Sequence, residues 1–185
     1  LARFTSVFTY DAAGNLLTRR DNAGSVTTYQ YTAFNKVASM TTPDGHVTTY
    51  QYDARQNLSR RVDGTGNVVD WQYDALGNLA RRLVYLDKTS LADPSKQQVT
   101  QYFHDAFGNN TRTIDAEGGI TLQAFDHLGN VLASTDARGG VTTFAYDADN
   151  RLLSVTTPEG STTSYAYDAV GNRIAITDAN GHTVT

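Results

Sequence analysis

Nineteen Asp and Glu residues and four histidines are the groups in this 185-residue chain best suited to hold a metal or move a proton. Aspartates recur three residues ahead of a glycine, as in Asp11 and Gly14 or Asp74 and Gly77, which raises the idea of a calcium ladder. Ca²⁺ takes about six to eight oxygens, whereas each copy places one carboxylate, and Asp at the first position of a turn already bonds the local backbone. His46, His104, His127 and His182 fall at three different phases of the same spacing, and no pair has helical i, i+4 separation, so they assemble neither a zinc site nor a general base. Asp147 with Asp149, and Asp63 with Asp70, read as turn and strand residues rather than acid–base pairs. Gly118-Gly119 and Gly139-Gly140 lack the Lys and helix of a phosphate loop, and no nucleophile elbow or His-Glu-x-x-His motif is present. The sequence therefore assigns no catalytic residue, no metal ligand and no cofactor. The remaining candidates are aromatic. Tyr29, Tyr50 and Trp71 could stack on a glycan, although packing across strands accounts for the same rings.

Composition narrows the classes further. Net charge is -4, with acids and bases interspersed along the chain, so no basic stripe offers itself to nucleic acid. No window reaches the roughly 18 uninterrupted apolar residues of a membrane span, and Leu1-Ala2-Arg3-Phe4-Thr5 has none of the regions of a signal peptide. There is no Cys, so neither disulfides nor thiolates hold the fold. Fifteen glycines and eighteen Tyr or Phe residues against three prolines suit twisted sheet with many tight turns.

What must position these residues is a repeat. Tyr10-Asp11-Ala12-Ala13-Gly14-Asn15-Leu16 recurs, with variation, from Tyr31, Tyr52, Tyr73, His104, Phe125, Tyr146 and Tyr167, at intervals of 21 residues broken once by 31. The extra ten residues fall within 83–98, a polar stretch that reads as an elongated surface loop. Each repeat carries two turn signals. The motif turn ends on Gly14, Gly77, Gly108, Gly129 or Gly171, and the second turn, ten residues on, ends on Gly24, Gly45, Gly66, Gly118, Gly139, Gly160 or Gly181. Asp or Thr at the start bonds back to the backbone and Gly supplies positive φ, which makes both hairpin turns.

Between the turns lie short runs such as Val26-Thr27-Thr28-Tyr29-Gln30-Tyr31, rich in β-branched and aromatic residues. The predicted fold is all-β: tandem hairpins forming a continuous, curled antiparallel sheet over 1–185. Motif aromatics Tyr10, Tyr31, Tyr52, Tyr73, Phe125, Tyr146 and Tyr167 share a face with the rings two residues before them, and Val26, Val47, Val68, Val99, Ile120 and Val141 take the other face. Because 21 is odd, one slip of the in/out alternation per repeat is required. The two turns are therefore expected to differ, or a bulge to sit in one strand. If the motif turn carries the bulge, its tyrosines face Leu16, Val37, Leu58, Leu79, Val131 and Leu152. The chain lacks an initial Met and stops inside an expected strand, so it is expected to be a piece of a longer array.

The strings YDAAGNL (10–16), YDALGNL (73–79) and YDAVGNR (167–173), with TTYQYD (48–53), TTFAYD (142–147) and TSYAYD (163–168), closely resemble the YD repeats of the Rhs family. Similar repeats occur in toxin-complex shells and in teneurins. The resemblance implies a β-spiral segment of a cocoon enclosing a C-terminal toxic domain, in a bacterial protein that is secreted or displayed at the cell surface. Implied partners are the rest of the shell, the enclosed domain and secretion-apparatus proteins; the alternative is a glycan- or receptor-binding module. The family's DPxGL-type cleavage motif has no counterpart here.

Overall fold

The computed structural model describes residues 6–85, 91 and 93–185. Strands follow the aromatic and β-branched runs and breaks follow the Asp-x-x-Gly signals, as local preference dictates. In order they are β1 (Val7–Tyr10), β2 (Leu16–Arg20), β3 (Val26–Tyr31), β4 (Val37–Thr41), β5 (Val47–Tyr52), β6 (Leu58–Val62), β7 (Val68–Tyr73) and β8 (Leu79–Tyr85). After a 3-10 turn, Pro94–Lys96, come β9 (Gln97–His104), β10 (Asn110–Ile114), β11 (Ile120–Phe125), β12 (Val131–Thr135) and β13 (Val141–Tyr146). The last four are β14 (Leu152–Thr156), β15 (Thr162–Tyr167), β16 (Arg173–Thr177) and β17 (Thr183–Val184). No described helix is long and apolar enough to cross a membrane.

The strands fall into two compact bodies. The first comprises Leu1–Asp74 and Leu79–Val99; within it β1 to β8 form an antiparallel meander, each strand bonded to the next. The second comprises Ala75–Asn78 and Thr100–Thr185, and there β9 to β17 pair in the same way.

The slip demanded by an odd repeat is visible in the register. Thr9 pairs with Thr18 but Tyr10 pairs with Leu16, so Leu17 is an extra residue on the returning strand. The same jump leaves out Ala38, Ser59 and Ala80 in the first body and Thr111, Leu132, Leu153 and Ile174 in the second. One residue opposing two is a β-bulge, and it restores the motif tyrosine to the same face every 21 residues. The tyrosines accordingly pair with Leu16, Val37, Leu58, Leu79 and Leu152, and Phe125 with Val131.

The turns themselves do not differ, contrary to the first of the two expectations. Asp11 N–H donates to Asn15 C=O (2.9 Å) and Gly14 N–H to Asp11 C=O (3.1 Å); in the second turn Asp21 and Ser25, then Gly24 and Asp21, repeat this at 3.0 Å each. Both are three-residue loops closed by a left-handed residue, Gly14 and Gly24 having φ 84°. The asymmetry sits wholly in the strand after the motif turn.

A single sheet layer buries little. Among the described residues the buried hydrophobics are Val68, Val69, Leu83 and Tyr85, with Val62 and Val99 packed against Val68, Leu83 and Tyr85. Leu83 to Tyr85 correct the reading of 83–98 as a polar surface loop at its start: they extend β8, pairing with Val68, Val69 and Asp70. Their apolar side chains earn burial against β7, and Gln97 and Gln98 likewise belong to β9. Residues 86–90 and Ala92 lie outside the described residues.

Candidate functional site

The chemistry of this chain is concentrated in its turns and in the seams between repeats. In the motif turns the aspartate accepts hydrogen bonds from the chain, and in the second repeat Thr32 takes its place. Asp11 Oδ1 accepts the N–H groups of Ala13 (2.9 Å) and Asn15 (2.8 Å), and Oδ2 accepts Asn15 Nδ2 (2.8 Å). Asp53 with Asn57, Asp105 with Asn109, Asp126 with Asn130 and Asp168 with Asn172 repeat the cap. The Asn15 side chain, then its backbone N–H, hold the Asp11 carboxyl below the usual carboxylate range. Asp168 is lowered by the same donors from Asn172, and Asp136 by the backbone N–H groups of Gly140 and Arg138. A carboxylate so occupied has little left for a cation, and no cluster of three or more His, Cys, Asp or Glu side chains forms among the described residues.

The capping asparagine went unassigned in the sequence, although its place beside the turn glycine is periodic. It also reaches the neighbouring repeat: Asn15 Nδ2 donates to Asn35 Oδ1 (2.9 Å), and Asn130 bonds Asn150 in the same way. Asn35, Gln56 and Asn150 replace the motif glycine and take φ of 58°, 68° and 67°.

A second seam contact explains why the motif residue is tyrosine. Tyr31 Oη donates to Leu16 C=O (2.9 Å), Tyr52 to Val37 (2.8 Å), Tyr73 to Leu58 (2.9 Å) and, in the second body, Tyr167 to Leu152 (2.9 Å). Each acceptor adjoins the bulge of the preceding repeat, where the ladder is interrupted and a carbonyl needs a partner. Burial raises the Tyr52 and Tyr73 phenols. Phe125 has no hydroxyl to offer.

Tyr29, Tyr50 and Trp71 lie on the same face as the motif tyrosines, half-buried, on alternate strands β3, β5 and β7. The opposite face of the first body carries a polar constellation. Arg60 Nε and Nη2 fork onto Asp70 (2.6 Å each), and Tyr85 Oη donates to Asp70 Oδ2 (2.7 Å). Burial alone would raise the Asp70 carboxyl, but the hydrogen bonds of Arg60 and Tyr85 hold it below its ordinary value. Arg60 and Asp70 border a shallow cleft of about 270 Å³ with Gln51, Ser59, Trp71 and Gln72. The histidines stay apart: His46 bonds Asp44 (2.7 Å), His182 meets Asp178 (3.3 Å), and His104 pairs with Asn110 at a bulge.

These features define a tandem β-hairpin repeat protein whose polar groups cap turns and tie each repeat to the next. The RHS repeat model matches residues 10–47, 34–68, 52–89, 125–162 and 146–183, well over half of the sequence, and the chain belongs to the RHS repeat family. No curated protein matches it. Among solved structures, TcdB2-TccC3-Cdc42 and TcdB2-TccC3-TEV are each 17% identical over 94% of this chain, with a TM-score of 0.43. The Photorhabdus luminescens Tc holotoxin pore with a mutated TccC3 is 16% identical over 94%, with a TM-score of 0.32. The chain spans 12% of the length of the first two and 14% of the third.

Proposed function

We propose that this chain is wall material: a segment of the shell of an RHS-type secreted toxin, enclosing a C-terminal toxic domain for delivery to a competitor or host cell. Its contribution is enclosure, without a reaction of its own. Family membership supports the reading, and the observation that carries it is the seam. Neighbouring repeats are joined by a recurring contact, a motif tyrosine hydroxyl on the carbonyl beside the preceding bulge, so the array can be extended by nearest-neighbour contacts. In this reading the partners are further repeats, the enclosed domain and the secretion apparatus, and the protein acts outside the producing cell.

Limited proteolysis of a full-length RHS protein carrying these repeats tests it. The C-terminal domain is expected to resist digestion while the array is intact and to become sensitive when two adjacent motif tyrosines are replaced by alanine. A domain digested equally fast in both proteins overturns enclosure.

A further inference from the structure

We infer that the aromatic face of the first body is a docking surface for an acidic polypeptide segment. Phe8 pairs with Arg19, Tyr50 with Arg61 and Trp71 with Arg82, and directly paired residues share a face. Arg19, Arg61 and Arg82 stand at one position of the repeat, with Met40 in the slot between the first two. At two strands per repeat this column has a step of about 10 Å. In the second body the corresponding residues are Thr113, Ser134, Val155 and Ile176, so this position of the repeat is cationic in the first body alone; Arg173 and Arg151 there lie over the Tyr165 and Tyr167 rings instead.

Two observations make the column a site rather than a solvated face. Among the described residues the side chains of Arg19, Arg61 and Arg82 form no ion pair or hydrogen bond, and Arg61 Nε is buried without an acceptor. The acids are elsewhere. Asp70 is the one carboxylate in β1 to β8; it lies on the opposite face and is committed to Arg60. The chain's net charge of -4 therefore conceals a face that is cationic and ringed with aromatics, and its electrostatic complement is an anion.

Spacing selects the kind of anion. Three cations neutralise few phosphates of a single nucleic-acid strand, giving a salt slope of only about -2. A polypeptide in the polyproline II conformation rises about 3.1 Å per residue with about three residues per turn, so carboxylates on every third residue share one face and recur at about the step of the column. A planar guanidinium forks onto a carboxylate, and the intervening rings take apolar side chains. The inference does not depend on whether the repeats enclose anything.

The test is fluorescence anisotropy at low salt with a fluorescein-labelled peptide of four Glu-Ser-Ala repeats, beside its Gln and Lys twins. The Glu peptide is expected to bind saturably, and Arg61→Gln or Arg82→Gln to weaken it about tenfold each, the scale of a charged hydrogen bond. Arg112→Gln, in the second body, should leave binding unchanged, and Arg82→Glu should turn the preference towards the Lys twin. Melting temperatures establish that each variant is folded. If Arg61→Gln unfolds the first body, the two Arg82 variants decide. Equal binding of the Glu and Gln peptides overturns the inference. So does wild-type affinity in the Arg82 variants, or binding of oligothymidylate or polygalacturonate, but not of the peptide, through the same arginines.

Discussion

Replacing Gln56 by glycine should stabilise the first body, an unusual direction for a point change. Gln56 occupies the left-handed position of its turn at φ 68°, while its N–H donates to Asp53 C=O (3.0 Å). Holding a side-chain-bearing residue there costs about 1–2 kcal/mol, and glycine gives back about 0.5–1 kcal/mol through its freer unfolded chain. The turn hydrogen bond survives, so the net gain is about 0.5–1 kcal/mol, a rise of about 1–4 °C in melting temperature for a chain of this size. Gly14→Gln is the mirror experiment. Gly14 has φ 84° and a Cβ added there meets nothing within 4 Å, so the cost is torsional alone and the expected loss equals the gain at Gln56. Asn35→Gly should gain nothing, because Asn tolerates this conformation and Asn35 Oδ1 accepts a bond from Asn15. Urea unfolding followed by the fluorescence of Trp71, the single tryptophan, reads the first body directly. If Gln56→Gly and Gly14→Gln shift the midpoint in the same direction, the torsional argument is wrong.

Tyr52→Phe should lower stability by about 1 kcal/mol, since Val37 C=O loses its donor beside a bulge; an unchanged urea midpoint would reduce the latch to packing. Asp70→Ala should cost about 2–3 kcal/mol by stranding Arg60 and the buried Tyr85 hydroxyl, and Arg60→Met combined with it should cost less than the two single changes added, in a double-mutant cycle. Acid should unfold the array. The turn aspartates have folded pKa values below the unfolded value of 3.8, so their stabilisation is complete above the unfolded value and is lost as pH falls from there through the lower folded values. Melting temperature should be flat from pH 7 to about pH 5 and drop below about pH 4, with a shallower drop in Asp168→Asn.

Much of this molecule could be read from residue types and spacing. Asp11, Gly14, Asp21 and Gly24 place the turns, and the oddness of the 21-residue period requires one slip per repeat. Its location was open, because parity says only that a slip exists. The bulge at Leu17 became visible only once register was known. The Tyr31 bond to Leu16 was hidden for the same reason: its acceptor lies fifteen residues back and is exposed by that bulge. Asn15 was legible in principle from its periodic place beside Gly14. Leu83, Val84 and Tyr85 also carried a readable signal, an apolar run with strand character, which the missing turn glycine obscured. The separation of Arg61 from every acid depended on which strand face each residue takes, and linear charge counting averages that away.

The bulge has a further consequence at the level of inheritance. Since each repeat cancels its own odd residue, a whole block can be copied or lost without inverting the sidedness of any neighbour, and the array can be lengthened or shortened in steps. Loss of one residue between two reversals enjoys no such tolerance: it would swap inward and outward side chains along that stretch of strand. Size in such a protein is therefore free to drift in units of one repeat, while the interior of each unit stays fixed.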